Sequence, residues 1–153
     1  MIYMKRFILL IMICLPVAAM AQVDPLAPLI DKYSSMEKCS TIILSSDMLK
    51  NMGVDAGVEY MQVISVDNPA LISEFRSELE HVAKGYSLLM SVNSDGSNVR
   101  IYQVIQVFKS DDGGKRKEQQ EFLIMSLNAN QGVAVRLVGN DIKLNEATSL
   151  IGL

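Results

Sequence analysis

Between Tyr86 and Val138 the apolar residues recur at strand spacing in successive segments that only short turns separate. Tyr86, Leu88, Met90 and Val92 alternate with Ser87, Leu89 and Ser91; Val99 to Phe108, Glu121 to Leu127 and Val133 to Val138 follow, joined at Asp95-Gly96, Asp111-Asp112-Gly113-Gly114 and Asn128 to Gly132. Parallel strands need a crossover of about a dozen residues or more, and none of these connections is that long, so the segments must pair antiparallel, as a meander. The strand from Val99 to Phe108 is apolar at both parities (Val99, Ile101, Ile105, Val107 and Tyr102, Val104, Phe108), which predicts a central position covered on much of both faces.

Upstream the period changes. Asp24-Pro25 reads as a helix start, with Leu26, Leu29, Ile30 and Tyr33 on one face of a helix over residues 25–36. Thr41 to Leu44 is a short strand, Ser46-Asp47 opens a helical turn that carries Met48, Leu49 and Met52 and stops at Gly53, and Tyr60 to Val66 is a second strand. Asn68 caps and Pro69 begins the longest amphipathic helix, whose stripe is Leu71, Ile72, Phe75, Leu79 and Val82 and whose stop is Gly85. Residues 142–151 form a last short helix with Leu144, Ala147, Leu150 and Ile151 inward. The expected fold is α+β, two-layer: a mainly antiparallel sheet with the long amphipathic helices packed on one face. Residues 22–153 show neither an internal repeat nor a linker composition, and read as one domain.

The first 21 residues are set apart from that pattern. Lys5 and Arg6 precede an unbroken apolar run from Phe7 to Leu15, Pro16 breaks it, and Ala19-Met20-Ala21 offers a small-x-small cleavage pattern before Gln22. The run is too short to span a bilayer, so residues 1–21 are expected to be a removable signal peptide that leaves no transmembrane anchor. Cys14, preceded by Ile13 and followed by more apolar residues, makes a poor lipoprotein signal. Cleavage reduces 14 basic residues to 12 against 17 acidic ones, a formal charge of -5 on an exported chain, which argues against a nucleic-acid partner. Cys39 is then the single remaining cysteine, so no intramolecular disulfide forms, and it reads as a small buried apolar residue.

Few side chains are left for chemistry. His81, the one histidine, falls on the polar side of the long helix near Glu74, Ser77 and Glu78, and it reads as a solvated side chain, because helical neighbours three and four residues away do not by themselves make a pocket where a nucleophile and an orienting acid converge. One histidine and one cysteine do not make a zinc site, and Asn93 to Asn98 fails the spacing of a calcium loop, so no cofactor or metal is expected. Asp111-Asp112 reads as a turn, and Lys115-Arg116-Lys117 as a charged shoulder that discourages edge pairing. No phosphate-binding glycine loop occurs. A carboxylate-only hydrolase built from Asp47, Asp67, Asp111 or Asp141 stays open, as does a carrier of small apolar ligands drawn from the methionines, but a non-enzymatic binding module is the leading reading.

Ile30-Asp31-Lys32-Tyr33, the run from Thr41 to Leu49, and Val138-Gly139-Asn140-Asp141-Ile142-Lys143-Leu144 together resemble the DUF4252 family, a domain of unknown function in exported proteins of Bacteroidetes. The resemblance implies a small domain of the bacterial envelope, periplasmic or secreted, with no established activity. It supplies no catalytic, cofactor-binding or metal-binding residue.

Overall fold

The computed structural model describes residues 24–54, 56–109 and 116–150. The expected signal segment with Cys14, the turn carrying Asp111, and Lys115 lie outside the described residues. In chain order the elements are α1 (Ala27–Tyr33), β1 (Cys39–Leu44), α2 (Ser46–Asn51), β2 (Val58–Val66), a 3-10 turn (Pro69–Leu71), α3 (Ile72–Ala83), β3 (Ser87–Ser94), β4 (Ser97–Lys109), β5 (Arg116–Leu127), β6 (Gly132–Gly139) and α4 (Leu144–Leu150).

The strands form a six-stranded sheet in the order β1-β2-β6-β5-β4-β3, with every neighbour antiparallel. The meander β3-β4-β5-β6 forms as its short turns require. Asp95 and Gly96 both take positive φ, the conformation that lets a two-residue turn follow the twist of its strands. β4 is interior but not central: β6 pairs with β2 on its far side, so β6 and β5 take the middle and β4 lies one strand from the edge.

β5 starts five residues earlier than its apolar pattern indicates. β6 ends opposite Gln120, so the segment before it pairs with β4 alone as a two-stranded ribbon, and polar residues there lose nothing by being strand. At the start of β3 the alternation misleads. A bulge between Leu88 and Met90 turns Leu88 to the face of Tyr102, while Met90 and Val92 share the face of Ile101 and Val99.

The two long helices lie on one face. Leu29, Ile30 and Tyr33 of α1 and Ile72, Phe75, Leu79 and Ala83 of α3 bury themselves, with Leu26, against Ile64, Val66, Tyr102, Leu123, Met125, Leu127 and Ala134. Tyr33 meets Phe75 edge to face at 5.0 Å between ring centroids. The second face has its own smaller core, in which Leu49 of α2 and Ala147 of α4 cover Met61, Phe122, Ile124, Val135 and Leu137. Two short helices cannot roof six strands, and they leave β3 and the adjoining part of β4 uncovered.

The helix starts behave as their sequences direct. Asn68 Oδ1 accepts from the Ala70 N–H, and Asp24 Oδ1 accepts from the Leu26 N–H at 2.9 Å, although regular α1 begins only at Ala27. Gly85 follows α3 without a positive φ; Lys84, Gly85 and Tyr86 close the last turn by donating to the carbonyls of His81, Val82 and Ala83. Gly57 and Gly139 let the start of β2 and the end of β6 approach. Gly57 has φ +76°, and a methyl there would lie 2.5 Å from the Asp141 carbonyl oxygen. Among the described residues no helix is long and apolar enough to cross a membrane.

Candidate functional site

Three strands each place one polar side chain inward among apolar neighbours: Gln62 in β2, Glu121 in β5 and Arg136 in β6, all buried on the face that α1 and α3 cover. Gln62 and Arg136 stand directly opposite in the β2–β6 register. Arg136 donates from Nη2 to Glu121 Oε1 at 3.0 Å and from Nε to Oε2 at 3.3 Å, a two-pronged charge-assisted contact. Its Nη1 donates to Gln62 Oε1 at 3.0 Å and lies 3.3 Å from Asp24 Oδ1. Gln62 Nε2 donates to Asp24 Oδ2, and Tyr86 Oη donates to Glu121 Oε2 at 2.9 Å.

This arrangement is suited to holding elements together and poorly suited to proton transfer. A guanidinium stays protonated at any working pH, and both Glu121 oxygens are already engaged. Burial disfavours the Arg136 cation, but the bonds and charge of Glu121 more than offset that and raise its pKa. Burial, and then the Glu121 carboxylate, push the Tyr86 phenol well above its ordinary value. Asp24 brings the entry to α1, and Tyr86 the entry to β3, onto the central strands. Among the described residues no buried side-chain nitrogen or oxygen lacks a partner.

A second cluster joins the two long helices. Lys32 of α1 donates to Glu74 at 2.6 Å and to Glu78 at 2.7 Å in α3, and Tyr33 Oη donates to Glu78 at 2.9 Å. Bonds to Glu74 and Glu78 raise the Lys32 pKa, and burial, followed by Glu78, raises that of Tyr33. Ion pairs this exposed contribute little to stability, so the apolar seam beneath them does most of the fastening.

The residues singled out for chemistry are scattered. His81 is exposed on the outer side of α3. Cys39 is half-buried at the start of β1 beside the first core, and burial raises its thiol pKa, which disfavours the reactive thiolate. Asp47 and Asp141 are exposed near the end of the sheet where β2 starts, whereas Asp67 follows the far end of β2 and accepts from Gln131 Nε2 at 3.0 Å. The nine-residue strand Val58–Val66 separates the two ends by about 26 Å at 3.3 Å per step, so Asp67 cannot pair with either of the others. Asn93 to Asn98 is the hairpin expected, with Asn98 Nδ2 donating to Asn93 Oδ1. Among the described residues no three His, Cys, Asp or Glu side chains gather as a metal-binding group.

What sequence reasoning missed is an uncovered ledge on the second face. Leu89, Met90, Val99 and Ile101 line an open apolar groove of about 500 Å³ whose other wall is Leu144, Asn145 and Thr148 of α4. Leu89 is 51%, Met90 45%, Val92 45% and, further along β4, Ile105 51% exposed. Every residue of β3 is exposed, and none is charged.

An antiparallel sheet with its polar clamp under the helices and an apolar ledge at one edge defines an α+β domain whose open surface, more than any pocket of reactive groups, is its distinguishing feature. The chain belongs to the DUF4252 family: the family described as a domain of unknown function (DUF4252) matches residues 33–150. No curated protein matches it.

Proposed function

We propose that this chain is an exported, non-enzymatic binding module of the bacterial cell envelope, and that its partner seats on the ledge formed by β3, β4 and α4. The observation that carries the reading is the open groove lined by Leu89, Met90, Val99 and Ile101, with Leu89, Met90, Val92 and, further along β4, Ile105 half-exposed on the same side of the sheet. Aliphatic side chains in water gain about 25 cal/mol for each Å² a partner covers, and no catalytic group is needed for that gain. The basic n-region and apolar run before Gln22 support export. The groove is open along the sheet, which favours a partner's surface over a small apolar ligand sealed from water. A hydrolase reading needs two carboxylates facing one bond, and Asp67 is removed from that role by its distance from Asp47 and Asp141.

The test pairs a substrate screen with capture of a binding partner from envelope extracts. Asp47→Asn, Asp67→Asn, Asp111→Asn and Asp141→Asn should leave capture intact, and Ile105→Glu, at an exposed position, should abolish it without altering the fold. Turnover that disappears in one of the Asp→Asn variants overturns the proposal.

A further inference from the structure

We infer that two copies of this chain pair through their β3 edges, antiparallel about a two-fold axis at Ser91, and extend the six-stranded sheet into a continuous twelve-stranded one. Native sheets protect a free edge with lysine, proline, a bulge or a covering segment. Ser87–Ser94 has no charge and no proline, every one of its residues is exposed, and its bulge, between Leu88 and Met90, leaves the pairing from Met90 to Ser94 regular. β1, at the other edge, is shorter at six residues and keeps Cys39, Thr41 and Leu44 partly buried. Of the two edges, β3 offers the longer and more open template.

The backbone pattern selects the register. The two-residue turn makes Ser94 and Ser97 a hydrogen-bonded pair, and Val92 with Val99 the next, so Asn93 and Ser91 direct their N–H and C=O groups away from β4. Opposing Ser91 to Ser91 of the second copy joins two outward-directed residues, and the next outward residue, Asn93, meets Leu89 of the other copy at the bulge. The same register sets Met90 against Val92 of the other copy, and Val92 against Met90, on the face that carries the ledge. Apolar meets apolar twice, hydroxyl meets hydroxyl at the axis, and no like charges oppose. A strand of eight residues spans about 27 Å, and an interface one strand wide falls at the low end of specific interfaces, below about 1,200 Å² in total. The pairing is therefore reversible and concentration-dependent. It lays the two ledges side by side, and it does not depend on what occupies them.

Sedimentation of the purified protein over a concentration series tests this, with Ser91→Lys as the disrupting variant and Ser91→Cys, in a chain without its other cysteines, as the reporter. Ser91 lies on the face opposite the ledge, so Ser91→Lys should leave partner capture unchanged while setting two lysines against each other at the axis. The expected results are a monomer–dimer equilibrium for the wild type, a monomer with unchanged circular dichroism and melting for Ser91→Lys, and a dimeric disulfide for Ser91→Cys under oxidised glutathione. Hydrogen-bonded partners stand about 5.5 Å apart at Cα, within the range of about 4.4–6.8 Å that a disulfide spans. Asn93→Cys, which opposes Leu89 in this register, should cross-link far less. A wild type that stays monomeric up to its solubility limit, oligomers growing beyond the dimer, or a Ser91→Lys variant that still dimerises overturns the inference.

Discussion

Replacing Arg136 by methionine removes the cation that pairs with Glu121 in the sheet interior and keeps most of the side-chain volume. The carboxylate is 7% exposed and would keep a single donor, Tyr86. Orphaning one member of a buried ion pair costs about 3–5 kcal/mol, a large part of the roughly 5–15 kcal/mol that holds a domain of this size together. Urea unfolding followed by circular dichroism at about pH 7 measures the loss. Adding Glu121→Leu to Arg136→Met removes the orphaned charge and should recover most of the loss at neutral pH. What stays lost is about 1–2 kcal/mol from Tyr86 and Gln62, whose partners are gone. A loss under about 1 kcal/mol for Arg136→Met, or a double variant less stable than the single one, would refute the reasoning.

Leu79→Ala, in the fully buried centre of α3, should cost about 2–5 kcal/mol in urea unfolding, against under about 0.5 kcal/mol for the exposed His81→Ala; equal losses would mean the helix is rotated. Gly57→Ala should destabilise by more than about 1 kcal/mol, because the added methyl meets the Asp141 carbonyl and the backbone is left-handed there; a neutral result counts against the close approach. Tyr33 and Tyr86 have folded pKa values raised above the ordinary 10.0, so their contribution is complete below about pH 10 and is lost as pH rises beyond it. Absorbance of phenolate should therefore appear for these two only as the protein unfolds in alkali, and early titration of all tyrosines would contradict their burial. If residues 1–21 are a signal peptide, intact-mass measurement of envelope material will find Gln22 at the N-terminus, and a lipid-modified Cys14 would contradict that.

The sequence carried the meander and the long helices because both rest on local periodicity: the turns at Asp95-Gly96 and Asn128 to Gly132 are too short for anything but antiparallel pairing, and the stripe of α3 is continuous. It did not carry the pairing of β6 with β2, which joins segments more than sixty residues apart and has no local signature. The polar clamp left a faint trace. Gln62 and Arg136 each interrupt an apolar strand, which asks for a buried partner, but which partners meet is decided by register. The ledge left none, since Leu88, Met90 and Val92 alternate as a buried face does. The bulge at Leu89 turns Leu88 to the other face, and α4 is too short to cover Met90 and Val92, which stay half-exposed.

The claim that binding occurs on the ledge is tested most directly by placing a photo-crosslinking residue, one position at a time, at Leu89, Ile105, His81 and Ile42 of the protein in its own cells. All four are exposed, and they lie on the ledge, further along β4, on the outer side of α3 and on the opposite sheet edge, respectively. One shared adduct, identifiable by mass, is expected from Leu89 and Ile105, and none from His81 or Ile42. An adduct confined to His81 or Ile42, with Leu89 and Ile105 silent, would contradict it.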